Sequence, residues 1–348
     1  MSRRIVFSVI AALILPGCVQ DPVSVKPVVP VPSAKGVYVV NEGTFGRGNA
    51  TLTFYDLGSF QVYNDVFASV NGRNLGDVGN QIVIRGPCGY IVVNNSDKIE
   101  VLDLQTNKST GTISVGSGRS PRQLAFVNDS LGLVTALYDA SVLVVNLRAM
   151  AVVGRIPVGE NPEGIVVAQG RAYVANSGFG SGRTISVVDL SSMTSVKTIT
   201  VGDNPSGVAL SQEGLVYVVC GGSYGDYSNP ADDTPARIVV VNPGTDAVVD
   251  SIIIGGHASA MALSADGWGY VPTTDGVVTI DTRTNRLVGS FVKGQYYGVG
   301  VEGVSGDVYL TDPKDYVQPG EIAVYAPNGQ LRTRFPGGVI PGSIAFKR

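Results

Sequence analysis

GENPEGIVVAQGRAYVANSGFGSGRTISVVDLSSMTSVKTITVGDNPSGVAL, residues 159–210, contains one complete unit of a pattern and the start of the next. Four runs rich in β-branched residues follow one another: PEGIVVA (162–168), YVAN (173–176), ISVVDL (185–190) and VKTITVG (196–202). Glycine, asparagine and serine separate them, so each run reads as a short strand between turns. PSGVALS (205–211) then restarts the series. Polar and apolar residues alternate imperfectly in ISVVDL, as expected for a strand packed on both faces.

The same order extends in both directions. A strand often opened by tyrosine recurs as YVVN (38–41), YIVVNN (90–95), LVTALY (133–138), YVAN (173–176), YVVCGG (217–222), YVPTTD (270–275) and YLTD (309–312). Each is followed by a partner such as LTFYDL (52–57), IEVLDL (99–104) or IVVVNP (238–243). Inner strands precede the tyrosine strands, as in PRQLAFV (121–127), ASAMALS (258–264) and YGVGVEG (297–303). The period is about 45 residues, that of a four-stranded propeller blade. The first unit lacks an inner strand, and the chain ends with PGSIAFK (341–347), which has the form of the missing one. The expectation is an all-β, seven-bladed β-propeller over residues 36–348. It has four strands per blade and is closed by the C-terminal strand joining the N-terminal blade, which removes a free sheet edge.

Composition agrees. There are 45 glycines and 19 prolines among 348 residues, and only 15% are charged, which excludes coiled coils and helical arrays. A net charge of −3 argues against a nucleic-acid binder that works by phosphate neutralisation. His257 is the one histidine, so a histidine-based metal cluster is excluded by counting. NEGTFGRGN (41–49) lacks the spacing of a phosphate loop, and no G-x-S-x-G or H-E-x-x-H occurs. No cofactor, catalytic residue or resident metal is expected, and the chain is not read as an enzyme.

Residues 1–18, MSRRIVFSVIAALILPGC, join two arginines to an eleven-residue apolar run too short to span a bilayer. The ending LPGC (15–18) resembles the lipobox of bacterial lipoprotein signal peptides, although Pro16 departs from the usual small residue. That resemblance implies removal of residues 1–17 and lipidation of Cys18, and Val19 after it favours the outer membrane. Residues 18–35 carry four prolines and read as an extended tether. Cys88 and Cys220 fall at opposite ends of the repeat, in a turn and at a strand end, and are expected as two mostly buried thiols without a disulfide.

GENPEGIVV (159–167) and GDNPSGVAL (202–210), with YVAN and ISVVDL, resemble the YVTN β-propeller repeat over nearly all of residues 36–348. Together with the lipobox, the opening YVVNEGTFGRGNATLTFYD (38–56) is similar to Bacteroidetes surface lipoproteins, some of which capture cobalamin beside a TonB-dependent transporter. The resemblance implies a cell-surface lipoprotein that binds a small ligand such as a corrinoid and passes it to such a transporter. A fold alone fixes no ligand. A protein- or glycan-binding scaffold stands as the alternative, and a propeller lyase or dehydrogenase as a third.

In a propeller, the loops from second to third strand and from outer to next inner strand share one face. Here those loops are long and rich in tyrosine, which gives rigid amphipathic contact area. The candidate ligand-binding residues are Tyr138, Asn176, Phe179, Tyr224, Tyr227, Tyr296, Tyr297, Tyr316, Arg122, Asn95 and His257. The longest insertion, CGGSYGDYSNPADDTPA (220–236), carries two of them. Its acids, Asp226, Asp232 and Asp233, lack calcium-loop spacing and read as solvated. The opposite turns offer only Phe60 and Trp268.

Overall fold

The computed structural model describes residues 35–225 and 230–348. Cys18, the lipobox and the proline-rich tether lie outside the described residues, as do Tyr227 and Asp226. The described residues form seven four-stranded antiparallel sheets. Blades 2 to 7 open at the central channel with Gly79–Arg85, Pro121–Phe126, Pro162–Ala168, Pro205–Leu210, Ala262–Leu263 and Val299–Val301. They end outermost with Lys108–Ser114, Ala151–Pro157, Thr194–Thr200, Ala247–Ile253, Arg286–Val292 and Leu331–Val339. Each inner strand touches the next around a closed ring.

Blade 1 is ordered Pro341–Lys347, Gly36–Asn41, Thr51–Asp56, Val62–Tyr63. The last strand of the chain pairs antiparallel with the first, with Val37 opposite Phe346 and Tyr38 opposite Ala345. Phe346 meets Tyr309 of blade 7 edge to face at 5.2 Å, so the closing strand joins its blade to the one before it.

Alternation explains the mixed hydrophobic pattern. In blade 5, Val216, Val218 and Cys220 pack against Tyr173, Ala175 and Ile185 of blade 4. The intervening Tyr217 and Val219 pack against Val271 and Ile280 of blade 6. Both faces of the strand are therefore apolar, and each fully buried side chain contributes roughly 1.5–3 kcal/mol. Cys220 is buried in that interface and Cys88 is half-buried, both as free thiols. Burial pushes the Cys220 thiol up to about 12. Cys88 opens the strand Cys88–Val93 rather than lying in a turn.

The Asp or Asn that ends the third strand of blades 1 to 6 has a mechanical role. The Asp103 carboxylate accepts the N–H groups of Gln105 and Thr106. Asn146, Asp189, Asn242 and Asp281 bond the following turns in the same way. Four residues on, the backbone turns left-handed at Phe60, Asn107, Met150, Met193, Asp246 and Asn285. In blades 2 to 6 that residue meets the tyrosine strand of the preceding blade. Tyr38 donates to Asn107 Oδ1, Tyr173 to Asp246 Oδ1 at 2.6 Å, and Tyr217 to Asn285 Oδ1. Where the repeat carries Met150 or Met193, the facing Tyr90 or Leu133 packs without such a bond.

Two expectations are corrected. The outer strand of blade 1 is only Val62–Tyr63, and a helix, Val66–Asn71, occupies its place. That helix buries Val66 and Phe67 between blades 1 and 2, and Asn71 bonds Ser109 N and Asn107 O of blade 2. The inner strands of blades 6 and 7 shrink to Ala262–Leu263 and Val299–Val301, well short of 258–264 and 297–303. The left-handed Gly255 and Gly256 feed blade 6, and before its strand only Ala258 bridges to Thr273.

Candidate ligand-binding site

Inner-strand register places one residue from each blade in a ring around the channel mouth. The ring is Gly342, Asn80, Arg122, Glu163, Ser206, Ser259 and Tyr297 in blade order 1 to 7. Ladder irregularities fall at this level in blades 2 to 5. Such a bulge re-aims side chains, and all seven residues line one channel cavity of about 430 Å³. Arg122 Nε meets Glu163 Oε2 at 2.5 Å, and its Nη1 donates to Asn80 Oδ1 at 3.0 Å. Beside Gly342 stands Glu42, which arrives from the loop after Gly36–Asn41. A Cβ on Gly342 would stand 3.4 Å from Glu42 Oε1 and 3.5 Å from Tyr297 Cε1. Tyr297 donates its hydroxyl to Glu42 Oε1 at 2.7 Å. Burial pushes the Glu42 carboxyl above its ordinary range despite that bond. Tyr297 is raised too, by burial first and by Glu42 second.

Beside the channel, a second cavity of about 430 Å³ opens between blades 5, 6 and 7. Tyr224, His257, Tyr296, Tyr297 and Tyr316 line it with Asn204 and Gln295. Tyr224 stacks on the imidazole of His257 with ring centroids 3.7 Å apart. The His257 Nδ1 faces the Gly221 carbonyl at 3.0 Å, so Nδ1 carries the proton. Its Nε2 lies 3.7 Å from Asp233 Oδ2. Tyr316, half-exposed and left-handed at φ 62°, meets Tyr297 edge to face at 6.2 Å. A third cavity of about 480 Å³ shares Asn204 and Tyr224 and reaches Phe179 and Glu163. Asn204 borders all three spaces.

The structure therefore brings five of the expected residues, Tyr224, His257, Tyr296, Tyr297 and Tyr316, around one space, with Arg122 in the adjoining channel. Tyr296 contributes its ring only, because its hydroxyl bonds Tyr325 Oη at 2.8 Å in the interface of blades 6 and 7. Tyr138 lies outside the cavities and rests on Phe179 at 5.6 Å. Phe179 sits at φ 52° between two left-handed glycines, Gly178 and Gly180, which hold its ring out in solvent. Two expectations need correction. Asn176 is buried, and its amide donates to Thr184 and Ser186 within blade 4. Asn95 stands on blade 2, where its amide donates to Asp77. Trp268 is at the far end of blade 6 under Arg283, beside a separate cavity of about 270 Å³.

Glu42, Asn80, Glu163 and Asn204 escaped the sequence reading. The signal for two of them was present. Aligning GNQ (79–81), PRQ (121–123) and PEG (162–164) puts Asn80, Arg122 and Glu163 in one column. Among the described residues, no group of three or more His, Cys, Asp or Glu side chains is placed to hold a metal ion.

Residues 35–226, more than half of the chain, match the family described as a domain of unknown function (DUF5074). The chain belongs to that family. No curated protein matches this DUF5074 member in sequence. Among solved structures, it is similar to hydrazine synthase of Kuenenia stuttgartiensis, with TM-score 0.63 and 19% identity over 76% of this chain and 88% of that one. A quinoprotein alcohol dehydrogenase-like protein from Bacteroides thetaiotaomicron has TM-score 0.66 and 17% identity over 90% of this chain and 78% of that one. Apo AztD from Citrobacter koseri has TM-score 0.58 and 13% identity over 90% and 98%. Identities this low speak for a shared propeller architecture and for nothing finer.

Proposed function

We propose that this DUF5074 protein is an envelope-anchored binding protein without catalytic activity, which holds a small amphipathic ligand on the long-loop face. The observation that carries the reading is the convergence of Tyr224, His257, Tyr297 and Tyr316 on one cavity that borders the polar channel mouth. Shared lining residues join the three cavities into one trough, suited to a ligand larger than a single sugar or amino acid. Apolar walls with a few convergent polar groups are the usual make-up of a ligand site.

The resemblance to cobalamin-capturing lipoproteins narrows the ligand to a corrinoid. The Cys18 lipobox supplies the anchor at the outer membrane, and a TonB-dependent transporter is the acceptor. A macromolecular partner, protein or glycan, is the second reading. It is favoured by Phe45, Tyr138, Phe179 and Tyr316, which stand 51–72% exposed on four loops of this same face.

Calorimetry of the purified full chain with cobalamin, haem and oligosaccharides tests the binding reading. Tyr224→Ala and Tyr316→Ala should each weaken the bound ligand about thirtyfold, as loss of a central aromatic costs about 2 kcal/mol. Trp268→Ala should leave affinity unchanged. Binding abolished by Trp268→Ala and untouched by the tyrosine changes would place the site on the other face. Cys18→Ser should release the protein from membranes or leave it uncleaved, and unchanged fractionation and mass would refute the anchor.

A further inference from the structure

The charges of the trough set the sign of what it takes. Among the described residues lining its three cavities, the acidic and basic side chains are Glu42, Glu163, Arg122 and His257, and the His257 imidazole is stacked on Tyr224 with its Nδ1 on the Gly221 carbonyl. Arg122 is committed to Glu163 and Asn80. That leaves no guanidinium or ammonium for an anionic ligand. It also leaves Glu42 without a cation bonded to it, its contact being the Tyr297 hydroxyl. The ring of Tyr297 forms the wall between this carboxyl and the tyrosine cavity, and lines both spaces. Tyrosine faces attract cations through their quadrupole, and the attraction grows when water is excluded.

We propose that the tyrosine cavity and the channel mouth together take an organic cation, an ammonium or quaternised nitrogen carried on an apolar body. The nitrogen sits where Tyr297 meets Glu42, and the apolar body lies against Tyr316 and the Tyr224–His257 stack. The inference rests on the binding reading above and puts an organic cation in the place of the corrinoid.

A bound cation offsets the desolvation that burial imposes on the Glu42 carboxylate, so binding releases a proton where Glu42 is otherwise neutral. The groups facing Glu42 are Tyr297 from blade 7, Arg122 from blade 3 and Glu163 from blade 4. Arg122 stays charged throughout, and Tyr297, raised, stays neutral. Affinity for a cation therefore rises with pH as Glu42 ionises.

The test uses the full chain and three probes of similar size: benzyltrimethylammonium, neutral 2-phenylethanol and anionic benzoate. The cation should bind about tenfold tighter than the alcohol, and benzoate weaker than either. Glu42→Gln keeps an acceptor for Tyr297 and should erase the cation preference, while Tyr316→Ala should weaken the cation and the alcohol together. If Glu42→Gln does not fold, the wild-type pH profile decides, because cation affinity should climb as pH rises above the ordinary carboxylate range and alcohol affinity should not. Equal binding of cation and alcohol, a flat pH profile, or no cation binding overturns the inference. Should cobalamin or another ligand bind in a Tyr316-dependent way without cation preference, the binding reading survives and this inference fails. Should Trp268→Ala abolish all binding, both fail.

Discussion

Replacing Tyr38 with phenylalanine tests whether the repeat tyrosine is a bolt between blades or merely a large apolar side chain. Tyr38 and Asn107 are both 0% exposed, and the tyrosine hydroxyl donates to the Asn107 carbonyl across the junction of blades 1 and 2. The Asn107 Nδ2 has no partner in that junction. Tyr38→Phe thus strips the amide of its side-chain bond in a place water does not reach. An orphaned buried polar group costs about 1–3 kcal/mol, while the ring and its packing on Phe54 at 4.7 Å remain. Tyr90 is the internal control. It occupies the same repeat position and is buried, but it faces Met150 and makes no hydrogen bond through its hydroxyl among the described residues. Tyr90→Phe should change stability by less than about 0.5 kcal/mol. Tyr173→Phe should match or exceed Tyr38→Phe, because its acceptor is the Asp246 carboxylate, and bonds to charged groups contribute about 1.5–3 kcal/mol. Equilibrium urea unfolding reads the difference as a lower midpoint at constant slope. Equal midpoints for Tyr38→Phe and Tyr90→Phe would show that the hydroxyl contributes nothing.

Two further outcomes follow from the turns and from the closure. The Ser191 hydroxyl, then the Ser192 N–H, hold the Asp189 carboxyl at about 2. It therefore takes up a proton less readily in the native chain than in the unfolded one. Its contribution is present above the ordinary value of 3.8 and is lost as pH falls towards 2. Asp189→Asn should flatten the fall of stability in that window, measured as urea midpoints at several acid pH values, and an unchanged slope would remove the turn carboxylate from the account. Deleting residues 340–348 takes the inner strand from blade 1 and uncovers Gly36–Asn41 and Tyr309. The truncated chain should lose its cooperative thermal transition, and an unaltered melting curve would contradict the ring.

The blades were legible because their signals are local and repeated. YVAN and ISVVDL name strands, and the Asp or Asn that ends the third strand of blades 1 to 6 names the turn, whatever lies nearby. PGSIAFK was legible as an inner strand by subtraction, since one unit lacked it. The helix at Val66–Asn71 was not legible, because six residues are too few to display a period, and its stability comes from burying Val66 and Phe67 against two blades. The site was half legible. Tyrosines in loops point to a face, but which ones share a space depends on blade geometry, and that geometry separated Tyr138 from Tyr224. Asn176 looked like a loop residue at the end of YVAN, yet its amide is used up inside its own blade. Glu42 carried no sequence signal. Its role arises because the fold brings it to the hydroxyl of Tyr297, far away along the chain.

The ring is closed by two opposite devices. Between blades 1 and 4, side chains next to the channel ring reach across to the following blade, where Ser343, Gln81 and Gln123 accept the N–H groups of Ile82, Leu124 and Ile165. From blade 4 onward the same column holds Gly164, Gly207, Ala260 and Gly298. There the neighbour's backbone comes so near that a Cβ on Gly164, Gly207 or Gly298 would lie 2.1–2.8 Å from a carbonyl oxygen. One arc depends on a hydrogen-bonding side chain being present, and the other on there being none or, at Ala260, only a methyl group. Blades that share a template are thus not spare parts for one another. A unit moved from the first arc into the second would bring a wedge into a joint with no room for it, and the reverse exchange would leave a gap with an unmet amide. Any shuffling or duplication of these units has to carry the joint along with the blade.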